Sequence, residues 1–319
     1  MRKVLIVGGA GYVGGAMTDY FIKKFYDVTV YDALLYESRF LKNVSFIRGD
    51  IRDREKLTKI LPNFDIMIWL AALVGDGACA IDPFLTQTIN EDSVKWLVDH
   101  FKGQIVYAST CSVYGKNDAV LDETAPVNPL SWYATTKLAA EQYILNNRPN
   151  SLVFRLGTLF GTGDEHSRIR LDLVVNALTR RACHGETLKV FGGEQWRPLL
   201  HVKDVGRAIE FGLCNQHTGL FNLSSGNYTI KDIAELIRAT VILEVGQPVK
   251  IEYNDIGFED QRNYKVNTQK WDSLGWKPKY TLQTGIDEMI EIFEDRRLRN
   301  EDDPVYSNQG FLNNHFWRI

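Results

Sequence analysis

Cysteine is scarce and scattered in this sequence: Cys79, Cys111, Cys183 and Cys214 form no C-x-x-C pair, and no histidine cluster accompanies them. That excludes a zinc finger or a disulfide framework as the organising element, and it suits a reducing compartment. No metal is expected. No apolar run approaches the length of a membrane span. Met1-Arg2-Lys3 and the apolar residues after it look like the start of a secretion signal. Five glycines between Gly8 and Gly15 interrupt that run, and no cleavage site follows, so a cytoplasmic protein is expected. A basic excess is missing too: 37 Lys+Arg stand against 40 Asp+Glu, a net charge of −3. Neither nucleic acid nor an anionic membrane is therefore an expected partner. An anionic ligand would have to be gripped by a few well-placed arginines. Internal repeats and low-complexity tracts are also absent.

What is present is an ordinary globular composition, 45% hydrophobic and 24% charged over 319 residues, enough for one or two domains. Short apolar runs recur at 4–7, 28–31, 44–47, 66–70, 105–108 and 152–156. Most are apolar on both faces, as strands are when helices cover both sides of a parallel sheet. Between them, 16–24, 53–61, 84–102 and 132–146 carry helical spacing. The alternation predicts an α/β fold, a doubly wound parallel sheet. After Gly161 the pattern changes. Helices are expected over 172–181, from about 203, over 230–240 and over 284–295, with short strands at 199–202 and 220–223. The reading is a nucleotide-binding Rossmann domain over 1–160, rejoined by about 199–222. A smaller α/β substrate-binding domain would take 161–198 and 223–319.

The first strand runs into Gly8-x-x-Gly11-x-x-Gly14 and then a helix, with Tyr12 and Val13 inside the loop. Glycine at these positions permits a tight turn, close approach of backbone to a pyrophosphate, and packing of helix on strand. The helix N-terminus adds N–H groups and partial positive charge. The second strand ends at Asp32, where a carboxylate can accept both hydroxyls of a ribose and repel a 2′-phosphate. NAD is the expected cofactor. Asp50 and Ile51, after the third strand, are candidates for the adenine, with a plain surface aspartate the alternative.

Ser109-Thr110-Cys111-Ser112-Val113-Tyr114-Gly115 ends a strand, and Tyr133-Ala134-Thr135-Thr136-Lys137 opens a helix. Four residues make about one helical turn, so Tyr133 and Lys137 share a face. A phenol with an ordinary pKa of about 10 is a poor base at neutral pH, but a nearby ammonium favours the phenolate. Taken alone, Y-x-x-x-K is common, and Tyr133 as a packing residue with Lys137 as a solvated charge is the bland alternative.

The motif is not alone. GGxGxxG, Asp32, Leu70-Ala71-Ala72, the Ser-Thr-x-Ser-Val-Tyr-Gly strand end and Tyr-x-x-x-Lys follow one another in an order that resembles the extended short-chain dehydrogenase/reductases, nucleotide-sugar epimerase/dehydratase group. Arg155, Phe160-Gly161, Arg197-Pro198-Leu199-Leu200-His201-Val202-Lys203-Asp204, Phe221-Asn222, Asp260-x-Arg262 and Leu274-Gly275-Trp276 extend the resemblance to nearly the whole chain. The resemblance implies Tyr133 as acid/base, Thr110 as the hydroxyl partner and Lys137 as the holder of the nicotinamide ribose. It places Leu70, Ala71, Ala72 and Asn90 beside the cofactor. Ser112, Thr158, Asn176, Arg197 and Arg262 would meet the substrate, the two arginines at its diphosphate. A homodimer through the helices at 84–102 and 132–146 is a further expectation.

Two departures bear on the chemistry. Trp69 stands where most relatives have His, and Thr158 where many have Asn. The stretches 73–79 and 167–176 look like a subgroup acting on deoxysugar or heptose nucleotides, including GDP-heptose C4 dehydrogenases. Family members oxidise the sugar at C4; 4,6-dehydratases then use an Asp-Glu pair at the positions of Cys111 and Ser112, and fucose-synthase-like enzymes a Cys at that of Ser112. On an alternating strand Cys111 should face away from Ser112. Dehydration and C5 epimerisation are therefore disfavoured. A redox-neutral 4-epimerase is the first reading, a net C4 dehydrogenase or reductase the second. A non-catalytic NAD-sensing binder is the alternative of another class, disfavoured because both Tyr133 and Lys137 are kept.

Overall fold

The computed structural model describes residues 1–255 and 262–315. Its strands are β1 (Lys3–Val7), β2 (Asp27–Asp32), β3 (Ser45–Arg48), β4 (Ile66–Trp69), β5 (Gln104–Thr110), β6 (Lys116–Leu121) and β7 (Leu152–Leu156). After them come β8 (Thr158–Phe160), β9 (Leu188–Phe191), β10 (Trp196–His201), β11 (Gly219–Leu223), β12 (Gly226–Thr229), β13 (Ile251–Asn254) and β14 (Asn263–Val266). Seven of these form one sheet in the order β11-β7-β5-β4-β1-β2-β3, every pairing parallel.

The continuous apolar runs have a simple cause. In β1, Leu5 and Val7 pack into one core with Met67, Trp69, Ile105 and Tyr107, while Val4 and Ile6 pack into another with Val28, Val30, Ile66 and Val106. Both faces of the strand are dry, as helices on both sides require. The helix Tyr12–Lys23 lies against the helix Val202–Cys214, which returns the chain to the sheet before β11. A third core holds Phe160, Val175, Leu178, Leu199, Ile233, Ile237 and Ile286, away from the large sheet.

The division expected at residue 160 is not a clean break. β6 lies within the first stretch but pairs with β14, and β10 joins β8 and β12 rather than the large sheet. The expected helix over 84–102 is three pieces: Pro83–Gln87, a π-turn at Thr88–Asp92, and Ser93–His100. The helix expected over 172–181 is shifted, at Val174–Cys183. The C-terminal stretch, in which no helix is expected from the sequence, contains the helix Asn308–His315.

Candidate active site

The winding of the sheet reverses at β1, which lies between β2 and β4. Open α/β sheets take ligands at the carboxyl ends of strands at such a point, and the glycine loop leaves β1 there. Gly8 has φ 86°, and a Cβ on it would stand 2.5 Å from the Ala71 amide nitrogen. A Cβ on Gly14 would stand 2.4 Å from Gly9 Cα, so only glycine lets the helix start this close to the loop. Gly11 caps that helix without a side-chain bond to its first N–H groups. Those donors and the positive end of the helix dipole suit a diphosphate.

A cavity of about 840 Å³ extends from this loop. Gly8, Gly11, Tyr12, Val13, Gly14, Asp32, Asp50, Ile51, Leu70, Ala71 and Ala72 all line it. The Asp32 carboxylate accepts from the Ala10 amide at 3.0 Å and the Leu34 amide at 2.7 Å. Burial pushes its pKa above the ordinary carboxylate value, against the pull of those two N–H groups. Partial burial works the same way on Asp50, but the Arg52 fork, at 2.9 and 2.6 Å, holds that carboxyl below its ordinary value.

Thr110, Tyr133 and Lys137 line the same cavity. Thr110 ends β5 and caps the turn Cys111–Tyr114, its hydroxyl accepting from the Ser112 amide at 3.1 Å. Tyr133 and Lys137 ride one turn apart on the helix Trp132–Asn147, which Ser131 caps by accepting from the Ala134 amide. Lys137 is 3% exposed, with its ammonium 4.0 Å from the centre of the Tyr107 ring. Glu141 lies a further turn along, but it is already bound by Arg155 Nη2 at 2.6 Å and by the Ser109 hydroxyl at 2.5 Å. Burial therefore wins and draws the Lys137 pKa down to about 7, with Glu141 opposing. Burial raises the Tyr133 phenol above its ordinary value, while a hydrogen bond with Thr110 works the other way. In the protein alone, both partners of the pair are thus pushed towards their neutral forms.

Ser112, Thr158, Arg197 and Arg262 line the cavity as well. The Ser112 hydroxyl is 3.4 Å from that of Tyr264. Arg197 is buried on β10 and donates to the carbonyls of Trp196 and Arg262, at 2.9 and 2.5 Å. The Arg262 guanidinium lies 3.4 Å from Asp76, whose other oxygen accepts from Ser131 at 2.6 Å. Asp260 of the same motif falls outside the described residues.

Two expected site residues stand behind the wall rather than in it. Asn90 is buried and clamps the backbone of Leu73, accepting from its amide at 2.8 Å and donating to its carbonyl at 2.9 Å. Asn176, 0% exposed, holds the Gly161 turn and the Arg170 carbonyl in the same way. Trp69 is core, its indole N–H donating to the Ala71 carbonyl at 3.0 Å, and it does not line the cavity. The strand ends at Thr110, so Cys111 and Ser112 do not alternate on it as expected but lie in the turn Cys111–Tyr114, where Ser112 lines the cavity and Cys111 does not. Its thiol donates to the Arg155 carbonyl at 3.2 Å, and full burial drives its pKa up. Cavity residues that sequence reasoning did not single out include Asp76, Arg168, Arg170, Asp172, Tyr264 and the stretch 307–309. Only the segment containing 168–172 and that containing Asp76 carried any signal.

The profile of the NAD dependent epimerase/dehydratase family matches residues 4–224. The chain belongs to that family. A UDP-glucose 4-epimerase of Rhizobium meliloti is 30% identical, over 88% of this chain and 94% of its own length. The low-salt glycan biosynthesis protein Agl12 of Haloferax volcanii is 28% identical, over 91% and 98%. Among solved structures, the UDP-glucose 4-epimerase of Thermus thermophilus in complex with NAD superposes with TM-score 0.78 at 25% identity, covering 92% of this chain and 99% of that one. MoeE5 in complex with UDP-glucuronic acid and NAD gives 0.79 at 25%, covering 93% and 100%. The enzyme is NAD-dependent, and the glycine loop and Asp32 fit that cofactor: the Cβ clashes at Gly8 and Gly14 mark a cradle that side chains would fill. No helix among the described residues is long and apolar enough to cross a membrane.

Proposed function

We propose that the enzyme is a redox-neutral 4-epimerase of a nucleotide-diphosphate sugar, with a UDP-sugar as the first substrate to try. One observation carries the choice of reaction. Where dehydratases hold an Asp-Glu pair, this chain has a buried thiol that is already hydrogen-bonded and a serine facing a tyrosine hydroxyl. Neither is a base for a C5 proton. Asp76 is a cavity carboxylate, but Ser131 and Arg262 engage it. Chemistry then stops at C4. The similarity to the UDP-glucose 4-epimerases of Rhizobium meliloti and Thermus thermophilus supports the same reading.

In this reading Tyr133 takes the proton of the C4 hydroxyl, Thr110 orients that hydroxyl, and Lys137 holds the ribose next to the nicotinamide. NAD, when bound, supplies reversible hydride acceptance. The charge that NAD carries at its ring and the Lys137 ammonium both favour the phenolate. Tyr133 then returns the proton after the sugar has presented its other face, for which a cavity of about 840 Å³ leaves room. Arg197 and Arg262 grip the diphosphate, and Ser112 and Thr158 border the sugar. Residues 1–160 with about 199–222 would carry the cofactor, and 161–198 with 223–319 the sugar nucleotide.

The test is a panel of UDP-, dTDP-, GDP- and CDP-sugars run in D2O, followed by absorbance at the NADH band and by mass spectrometry of the product. The 4-epimer with no deuterium at C5 and no lasting NADH is the expected result. NADH that accumulates, or that needs a keto acid to be recycled, would instead mark a net C4 dehydrogenase. Deuterium at C5 or loss of water would refute both.

A further inference from the structure

The stretch 168–172 and the C-terminal helix were not absorbed by the mechanism, yet both reach the cofactor side of the cavity. Arg170 is 8% exposed and lines that cavity. Asp172, which lines the cavity as well, holds it by accepting from Nε at 2.8 Å and Nη2 at 3.0 Å. Its remaining nitrogen, Nη1, has no protein partner among the described residues. Arg170 lies close enough to Tyr12 of the glycine loop and to Tyr133 to bias both hydroxyls. It lines the same cavity as the glycine loop and Tyr133.

The clamp is itself anchored. Asp172 accepts from the Asn308 amide at 2.8 Å, and the Asn308 side chain donates to the Val74 carbonyl at 2.9 Å. Arg168 stacks on Tyr36, 3.9 Å from its ring centre, and donates to Asn308 and to the Val305 carbonyl. Tyr36 in turn meets Phe311 edge to face. The segment after Tyr306 thus fixes an arginine fork that lines the cavity and has one nitrogen without a protein partner among the described residues.

We propose that Arg170, oriented by Asp172 and the C-terminal helix, is a ligand of the cofactor's diphosphate. A helix N-terminus offers N–H dipoles but no full charge, and NAD carries its anionic charge at that one group. A guanidinium locked on one side by a carboxylate presents its remaining N–H groups without further ordering, so little entropy is lost when phosphate binds. The inference rests on NAD as the cofactor, and it is independent of the sugar and of the reaction at C4.

The test measures binding. Arg170→Met and Arg170→Gln are titrated with NADH, ADP-ribose, adenosine and UDP, with circular dichroism as a check on folding; the glutamine variant keeps a donor for Asp172. The expected result is a tenfold or greater loss of affinity for NADH and ADP-ribose in both variants, with adenosine and UDP unchanged. The dependence of ADP-ribose affinity on salt should weaken in parallel. Asp172→Asn should give a smaller loss of the same kind. Unchanged ADP-ribose affinity would overturn the proposal. A loss confined to UDP would overturn it too, by assigning Arg170 to the sugar nucleotide. Neither result would touch the reading of the reaction, which rests on Cys111, Ser112 and Tyr133.

Discussion

At the scale of single residues, the motif and its electrostatics have to be separated. Helical spacing puts Tyr133 and Lys137 on one face, and that follows from sequence alone. Their protonation does not, because it depends on Arg155 and Ser109 having already claimed Glu141. Tyr133→Phe removes one hydroxyl and should lower turnover by about 10²- to 10⁴-fold while NADH binding stays near the wild-type value; full activity in that variant would remove Tyr133 from the mechanism. Lys137 yields a stability prediction. Its pKa is about 7 in the fold against 10.5 ordinarily. Between those values the unfolded chain binds the proton and the native state does not, so this residue's contribution to stability rises with pH across the window. Denaturant melts at pH 7 and pH 9 should show a smaller gain for Lys137→Met than for wild type.

At the scale of elements, the legible parts are those whose burial is two-sided. The runs of β1, β2, β4, β5 and β7 show in sequence because apolar residues are buried on both faces of the sheet, and the buried polar Ser109 and Arg155 that they carry are paired with Glu141. β6 reads Lys-Asn-Asp-Ala-Val-Leu and is mostly exposed, and β8, β12 and β14 are three or four residues long. No periodicity identifies such pieces; they exist because β6 finds β14 and β10 finds β8 and β12. The same limit applies to the site. Arg197 and Arg262 could be named from motifs, but not the fact that one holds the backbone of the other. That coupling has a measurable consequence. Arg197→Ala and Arg262→Ala should each raise the KM for the sugar nucleotide, with a loss on the order of 2 kcal/mol if the contacts are charge-assisted. Because Arg197 fixes the Arg262 carbonyl at 2.5 Å, the double variant should lose clearly less than the sum. Strict additivity would show that the two arginines act independently.

At the scale of the whole molecule, the question is what ties the third core to the sheet, since the cavity is lined from both. One junction is polar and half-buried. Glu288, on the helix Leu282–Glu294, accepts from His201 Nε2 at 2.9 Å, from Lys203 Nζ at 2.7 Å and from the Thr162 amide at 3.0 Å. His201 ends β10 and Thr162 follows β8, so this carboxylate joins that helix to the strands that carry Thr158 and Arg197. The motif Arg-Pro-Leu-Leu-His-Val-Lys-Asp therefore has a structural half, His201 and Lys203, beside its cavity-lining Arg197. Burial raises the Glu288 pKa, but the His201, Lys203 and Thr162 bonds outweigh it and leave the value at about 2, against 4.5 ordinarily. A depressed carboxylate stabilises the fold above its unfolded pKa and ceases to do so as pH falls through the folded one. Stability from this junction should be complete above about pH 4.5 and lost towards pH 2. Glu288→Gln keeps the shape and removes the charge, so at pH 7 it should cost on the order of 2 kcal/mol and should flatten the acid limb between those values. The substrate KM should rise in the same variant, because Thr158 and Arg197 sit on the strands it anchors, while affinity for NADH stays close to wild type. An acid limb identical in both proteins would place the acid sensitivity at other carboxylates, and an equal loss of NADH and substrate affinity would show that the junction supports the whole cleft rather than its substrate side.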